Sequence, residues 1–144
     1  MADKESLTIG QALEVHKKFL QDILQEIVKV LAVGEAGTDR VIKGLSTYWN
    51  ASLRYSATRR KVQAAVAGTP HEKDAELMGR PFLMMIRAEL QASKVQNLDA
   101  VSQEIYDEAH AIALSEATTG KRAAARRKKL VARIKAANSL QAAA

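Results

Sequence analysis

The sequence predicts an all-α fold, a bundle of four to five helices formed by one domain over residues 1–144. Three observations lead there. Apolar residues recur at spacings of three and four, and strand-like alternation is missing. Helix start and stop signals punctuate the chain at regular intervals. Aromatic residues make up only 4% of the chain and cysteine is absent, so the core must be aliphatic and no disulfide frame supports it. At 144 residues the chain can bury one real core but not two.

Each element has its own signals. Thr8, followed three residues later by Gln11, fits a capping box opening a helix over 8–33 that Gly34 and Gly37 stop. Its stripe is Leu13, Leu20, Leu24, Ile27 and Leu31, widened by Phe19, Ile23 and Val30. A second helix over 39–67 turns Val41, Ile42, Leu45, Tyr48 and Trp49 inward and ends at Gly68. Thr69, Pro70 and Glu72 signal the start of a segment over 70–96, broken or kinked at Gly79-Arg80-Pro81. Phe82, Leu83, Ile86 and Leu90 form its inner face. Val101, Ile105, Ala109 and Ile112 mark a helix over 99–118, and Gly120 separates it from a C-terminal helix over 121–140. On that last helix Ala123, Leu130 and Ile134 make a narrow apolar line. The tail Ala142–Ala144 is low in complexity.

Charge is distributed in blocks. The net +6 resolves into −2 over residues 1–37, +5 over 38–68, −5 over 69–119 and +8 over 120–144. The last block carries Lys121, Arg122, Arg126, Arg127, Lys128, Lys129, Arg133 and Lys135 without one acidic side chain. Like charges at i,i+4 destabilise a helix, so a helix this one-sided points to a polyanionic partner. In the second helix, Arg40, Lys43, Arg54 and Lys61 share a stripe with Thr47, Asn50 and Thr58 and no carboxylate. Cations and hydroxyl or amide donors together suit phosphate oxygens, contacts that position a protein without reading bases. Arg59 and Arg60 complete the candidate set, although they continue the apolar side of the wheel. A guanidinium buried unpaired there is costly, so an anion or solvent must reach it. Tyr48, Trp49 and Tyr55 lie close enough to these bases to stack on a single strand.

Other chemistry has little to rest on. His16, His71 and His110 are widely spaced, and His110 reads as a surface residue. Asp107-x-x-His110, with Glu104 and Glu108 nearby, matches one half of a carboxylate-bridged metal site, but no second carboxylate-x-x-His follows. With no phosphate-binding glycine loop and no nucleophile elbow, the expectation is a non-enzymatic protein without metal or cofactor. The apolar stretch from Phe19 to Val33 is interrupted by Gln21, Asp22, Gln25, Glu26 and Lys29 and cannot span a bilayer. Met1–Glu5 lacks an apolar signal core, so an intracellular location is expected.

The long helices, the Arg54–Lys61 cluster and the Arg122–Lys135 run give the chain an architecture that resembles the coat proteins of rod-shaped and filamentous archaeal viruses. That resemblance implies a helical structural protein that wraps a DNA duplex along a filament, with a virion as its location. The expected function is therefore sequence-nonspecific binding of nucleic acid, double-stranded DNA first, by phosphate contacts. Alternation of acidic and basic blocks adds an expectation of self-association, with copies of itself or a paralogous subunit. The alternatives are a helical adaptor whose basic C-terminal helix binds an acidic protein, and a metal-dependent bundle enzyme at Asp107 and His110.

Overall fold

The computed structural model describes residues 6–143, with side chains through Ala137. Met1–Glu5, read above as lacking a signal core, and Ala144 of the alanine tail lie outside the described residues. Seven helical segments and no strand occur among the described residues: α1 (Ile9–Leu31), α2 (Thr38–Arg54), α3 (Ser56–Val66), α4 (His71–Leu77), α5 (Arg80–Ala92), α6 (Leu98–Thr119) and α7 (Ala124–Ala143). The all-α expectation holds. The count exceeds the expected four to five because two of the expected helices are each divided.

The start of α1 is the capping box read from sequence. The Thr8 hydroxyl accepts from the Gln11 N–H at 3.1 Å, and the Gln11 side chain accepts from the Thr8 N–H at 3.0 Å. Two donors that a helix start leaves open are thus satisfied, a cap contributing about 1 kcal/mol. After α1 the chain turns at Gly37, whose φ of 105° only glycine adopts without strain. The Ser93 hydroxyl fills the space a Cβ at Gly37 would need, and it accepts from the Thr38 N–H at 3.0 Å. The α1–α2 turn is thereby tied to the end of α5.

α2 is the central helix, packed on α1, α5, α6 and α7. Its inner face is the expected one: Val41, Leu45 and Trp49 are buried. The Trp49 indole N–H donates to the Ala109 carbonyl of α6 at 3.1 Å, so burial of this large side chain leaves no donor unsatisfied. Ile105, Ala109, Ile112 and Ala113 of α6 meet Leu130, Ile134 and Ala137 of α7 in the same core, and the narrow apolar line of the last helix is thus its docking edge. Burial of each Leu or Ile here stabilises by roughly 1.5–3 kcal/mol. A second core joins Phe19, Leu20, Ile23 and Ile27 of α1 to Ala51, with Phe82 and Met85 against it.

The expected helix over 39–67 breaks at Tyr55 (φ −100°, ψ 22°), where the sequence has neither Gly nor Pro. The segment over 70–96 breaks before Arg80, as Gly79 signalled, and ends at Ala92, earlier than expected. The Tyr106 hydroxyl occupies the place a Cβ at Gly79 would take. At the start of α4 the Thr69–Glu72 box is only half formed: Thr69 Oγ1 accepts from the His71 N–H, but Glu72 accepts from Gly68.

Beyond the Tyr55 break, Arg59 enters the interior and is only 4% exposed. Its Nη1 donates to Ser52 Oγ at 2.9 Å and to the Tyr48 hydroxyl at 3.2 Å, and the guanidinium lies 5.1 Å from the Phe19 ring centroid. His16 and His110 share this interior, which corrects the surface reading of His110. His16 Nε2–H donates to the Ala75 carbonyl at 3.2 Å, and the His110 ring stacks on Tyr106 at 6.1 Å. Burial, then the positive charge of Arg59, lowers the pKa of both, His110 to about 4.

The unfolded chain therefore takes up protons between pH 6.5 and about 4 that the folded chain refuses. Stability should be complete above pH 6.5 and fall as the pH drops towards 4, with His110 accounting for up to about 3 kcal/mol. Urea denaturation across this range checks it. The slope should flatten in His110→Phe, and a flat wild-type profile would contradict the buried neutral pair.

Candidate nucleic-acid interface

The candidate cations fall into three groups in the fold. Two are interior. Arg59 is held as described above. Arg127 of α7 forms a bidentate pair with Glu116 of α6, Nε to Oε2 at 2.6 Å and Nη2 to Oε1 at 2.7 Å. The Glu116 side chain is 0% exposed and that of Arg127 11%. The guanidinium lies 5.3 Å from the Trp49 ring centroid, and Nη1 donates to Asn50 Oδ1 at 2.9 Å. Arg59 and Arg127 therefore lie in the interior, a correction to their place in the nucleic-acid-binding set: neither guanidinium is offered at the outer surface. Trp49, only 1% exposed, is likewise closed to base stacking, and Tyr48 is half-buried.

The second group is paired at the surface. Arg54 grips Glu26 of α1 at 2.8 and 3.0 Å, Lys43 meets Asp39 at 3.2 Å, and Arg40 meets Glu89 of α5 at 3.7 Å. On α7, Arg126 binds Glu108 and Arg133 binds Glu104, at 2.9 and 2.8 Å. The stripe on the second expected helix did lack carboxylates, but Glu26 and Glu89 of neighbouring helices and Asp39 at the start of the same helix supply them. Pairs with both partners exposed contribute about 0–1 kcal/mol and can be exchanged for phosphates, whereas Glu89 is largely buried and keeps Arg40 beside it. Lys135 is exposed and already engaged.

The third group consists of Arg60, Lys61, Lys121, Arg122, Lys128 and Lys129, all exposed and without an ion pair among the described residues. These six come from both basic blocks, and one contact sets the first block against the end of α6, where the second begins. Arg60 Nη1 donates to the Ala117 carbonyl at 2.6 Å, in the last turn of α6. Carbonyls there have no partner within the helix, and the helix dipole favours a cation beside them. Gly120, at φ 71°, then reverses the chain, so Lys121 and Arg122 follow at the same end of the fold. Lys128 and Lys129 lie on the outer face of the first turns of α7, about 10 Å further along it. From Ala109 to the C-terminus Glu116 is the one carboxylate in the sequence, and Arg127 neutralises it.

The arrangement offers a strip of exposed cations, with a reserve of exchangeable pairs beside it, to an extended anion. Among the described residues no group of three or more His, Cys, Asp or Glu is placed to hold a metal, and Asp107 is bonded to Gln103 at 2.8 Å. No helix among the described residues is long and apolar enough to cross a membrane. No protein-family model matches the chain, and no curated protein or solved structure is significantly similar to it.

Sequence reasoning missed Glu116, which holds α7 in place. Its spacing of four and three from Ile112 and Ala113 put it on the inner face of α6 and was the available signal. Loss of either partner strands a buried charge, so Glu116→Gln should cost about 3–5 kcal/mol in urea denaturation. Glu116→Leu combined with Arg127→Met should recover much of that loss. Additive costs in the double variant would show that the two side chains do not act as a pair.

Proposed function

We propose that the protein is a non-enzymatic nucleic-acid-binding protein that engages phosphates through the composite basic strip of α3, the α6–α7 junction and the outer face of α7. The observation that carries this reading is the Arg60–Ala117 contact, which sets the first basic block against the last turn of α6, three residues before the second basic block begins. Lysine and arginine heads on a convex helical face suit the regularly spaced phosphates of a duplex and have no geometry for base edges, so binding is largely blind to sequence. Packaging or coating of DNA is the cellular role that such contacts suit.

The alternation of acidic and basic blocks resolves largely into contacts within the chain. Glu89, Glu104, Glu108 and Glu116 all bind arginines of α2 or α7. Charge alternation thus no longer argues for contacts between copies. A coat-like array, if the protein forms one, needs other surfaces.

Two measurements test the proposal. Engagement of up to six phosphates should give a slope of about −5 in log affinity against log salt, a loss of roughly 10³ between 50 and 200 mM. A shallow slope, or strong preference for one short sequence, contradicts it. Charge reversal should separate the groups: Lys61→Glu with Arg122→Glu, or Lys128→Glu with Lys129→Glu, should weaken binding to any duplex by at least about tenfold. Lys17→Glu on α1 should leave it unchanged. Equal effects at all three places would reduce the strip to general charge attraction.

A further inference from the structure

A cavity of about 60 Å³ lies between α1, α2, α5 and α6. Its walls are mostly aliphatic and aromatic, with Leu20, Phe82 and Met85 among them. Arg59 stands in the same wall, nine-tenths buried and more. Its hydrogen bonds both come from Nη1, to Ser52 and Tyr48, so Nε and Nη2 have no partner among the described residues. Those two N–H groups form one edge of the guanidinium, parallel donors spaced to take both oxygens of a carboxylate. No carboxylate of the described residues forms an ion pair with Arg59; the Phe19 and Tyr48 rings lie 5.1 and 5.9 Å from its guanidinium, and neither Nε nor Nη2 is a fully buried atom left without a partner.

We propose that this cavity binds a small organic carboxylate with a compact apolar body, its two oxygens on the Nε–Nη2 edge of Arg59 and its body against Leu20, Phe82 and Met85. The volume sets the size. At about 60 Å³ it has room for more than one water and limits the ligand to a compact body.

Two carboxylates also line the wall, Glu76 and Glu89, and Arg40 offsets the second. His16 and His110 are held neutral, and burial pushes the Tyr106 hydroxyl up to about 12, so it stays a protonated donor. Arg40 and the Gly37 N–H engage the Glu89 carboxylate. Glu76 is exposed, so solvent screens its charge. A mostly apolar pocket with a few convergent polar groups is the ordinary form of a small-ligand site.

The test titrates the full-length isotope-labelled protein with benzoate and butyrate, and in parallel with the neutral benzamide and butyramide, following the Arg59 Nε–Hε resonance. Charge-assisted bonds to a buried guanidinium should make at least one carboxylate bind about ten- to a hundredfold more tightly than its amide and shift that resonance. Gly44→Leu is the blocking variant. Gly44 lines the cavity, its missing Cβ would meet Ile27 and Leu31 at ordinary contact distances of 3.7 and 3.8 Å, and Arg59 is untouched. It should keep its helical signal and lose binding, while Arg59→Lys should lose the preference for carboxylate over amide. No binding of either carboxylate at millimolar concentration would overturn the proposal. So would equal affinity for acid and amide in the wild type, which stands even if a variant misfolds. Undiminished binding in folded Gly44→Leu would place the anion elsewhere, on the basic strip, and overturn it too.

Discussion

The Glu116–Arg127 pair fixes the position of α7, and the outer surface of the protein depends on it. Glu116 does three things with one buried carboxylate. It binds Arg127 in bidentate fashion, it stands in the core of α6, and it accepts the Ala123 N–H at 2.8 Å, at the entrance to α7. The last contact satisfies a donor that a helix start leaves open and sets a negative charge at the positive end of the helix dipole. A buried charge pair adds little net stability against an apolar replacement, but its geometry admits few alternatives. What it supplies here is register: with Arg127 on Trp49 and Asn50, Leu130 and Ile134 must face the core, and Lys128 and Lys129 must face out.

That register sorts seven of the eight cations of the C-terminal block by role. Arg127 belongs to the core, and Arg126 and Arg133 bind the acidic face of α6. Lys121, Arg122, Lys128 and Lys129 are left to the surface, where Arg60 and Lys61 join them. Like charges on one helix repel, and α6 relieves that repulsion on the inner edge only. On the outer edge it persists, and an external polyanion relieves it while releasing counterions. The same carboxylates that let α7 dock therefore leave its outer face as the place where an external polyanion would be held most favourably.

Local signals made much of this fold legible. Thr8 with Gln11 and Gly120 set helix ends, and the three- and four-residue spacings identified the inner faces of α2, α6 and α7. What stayed hidden was non-local. Arg54 and Arg126 look unopposed in sequence because Glu26 and Glu108 come from other helices. Arg127 shares its composition with Arg126 and Lys128, yet its spacing of three and seven from Leu130 and Ile134 puts it on the docking edge. Arg59 was legible as a residue on the apolar side, but not the fact that Ser52 and Tyr48 receive it. The Tyr55 break has no Gly or Pro to announce it, and the structure offers no physical reason for its position. The cavity polar groups His16, Tyr106 and His110 come from α1 and α6 and meet only in the folded chain.

The central claim is that one strip, assembled from both basic blocks around a docked α7, meets the nucleic acid. The most direct measurement is a nuclear magnetic resonance titration of the full chain with a short DNA duplex, read at every backbone amide and arginine Nε. The account predicts shifts concentrated at Arg60, Lys61, Lys121, Arg122, Lys128 and Lys129, with the Nε resonances of Arg59 and Arg127 unmoved. Large shifts at Arg127 and Glu116, showing that α7 leaves the bundle to bind, or perturbation of one block without the other, would contradict it.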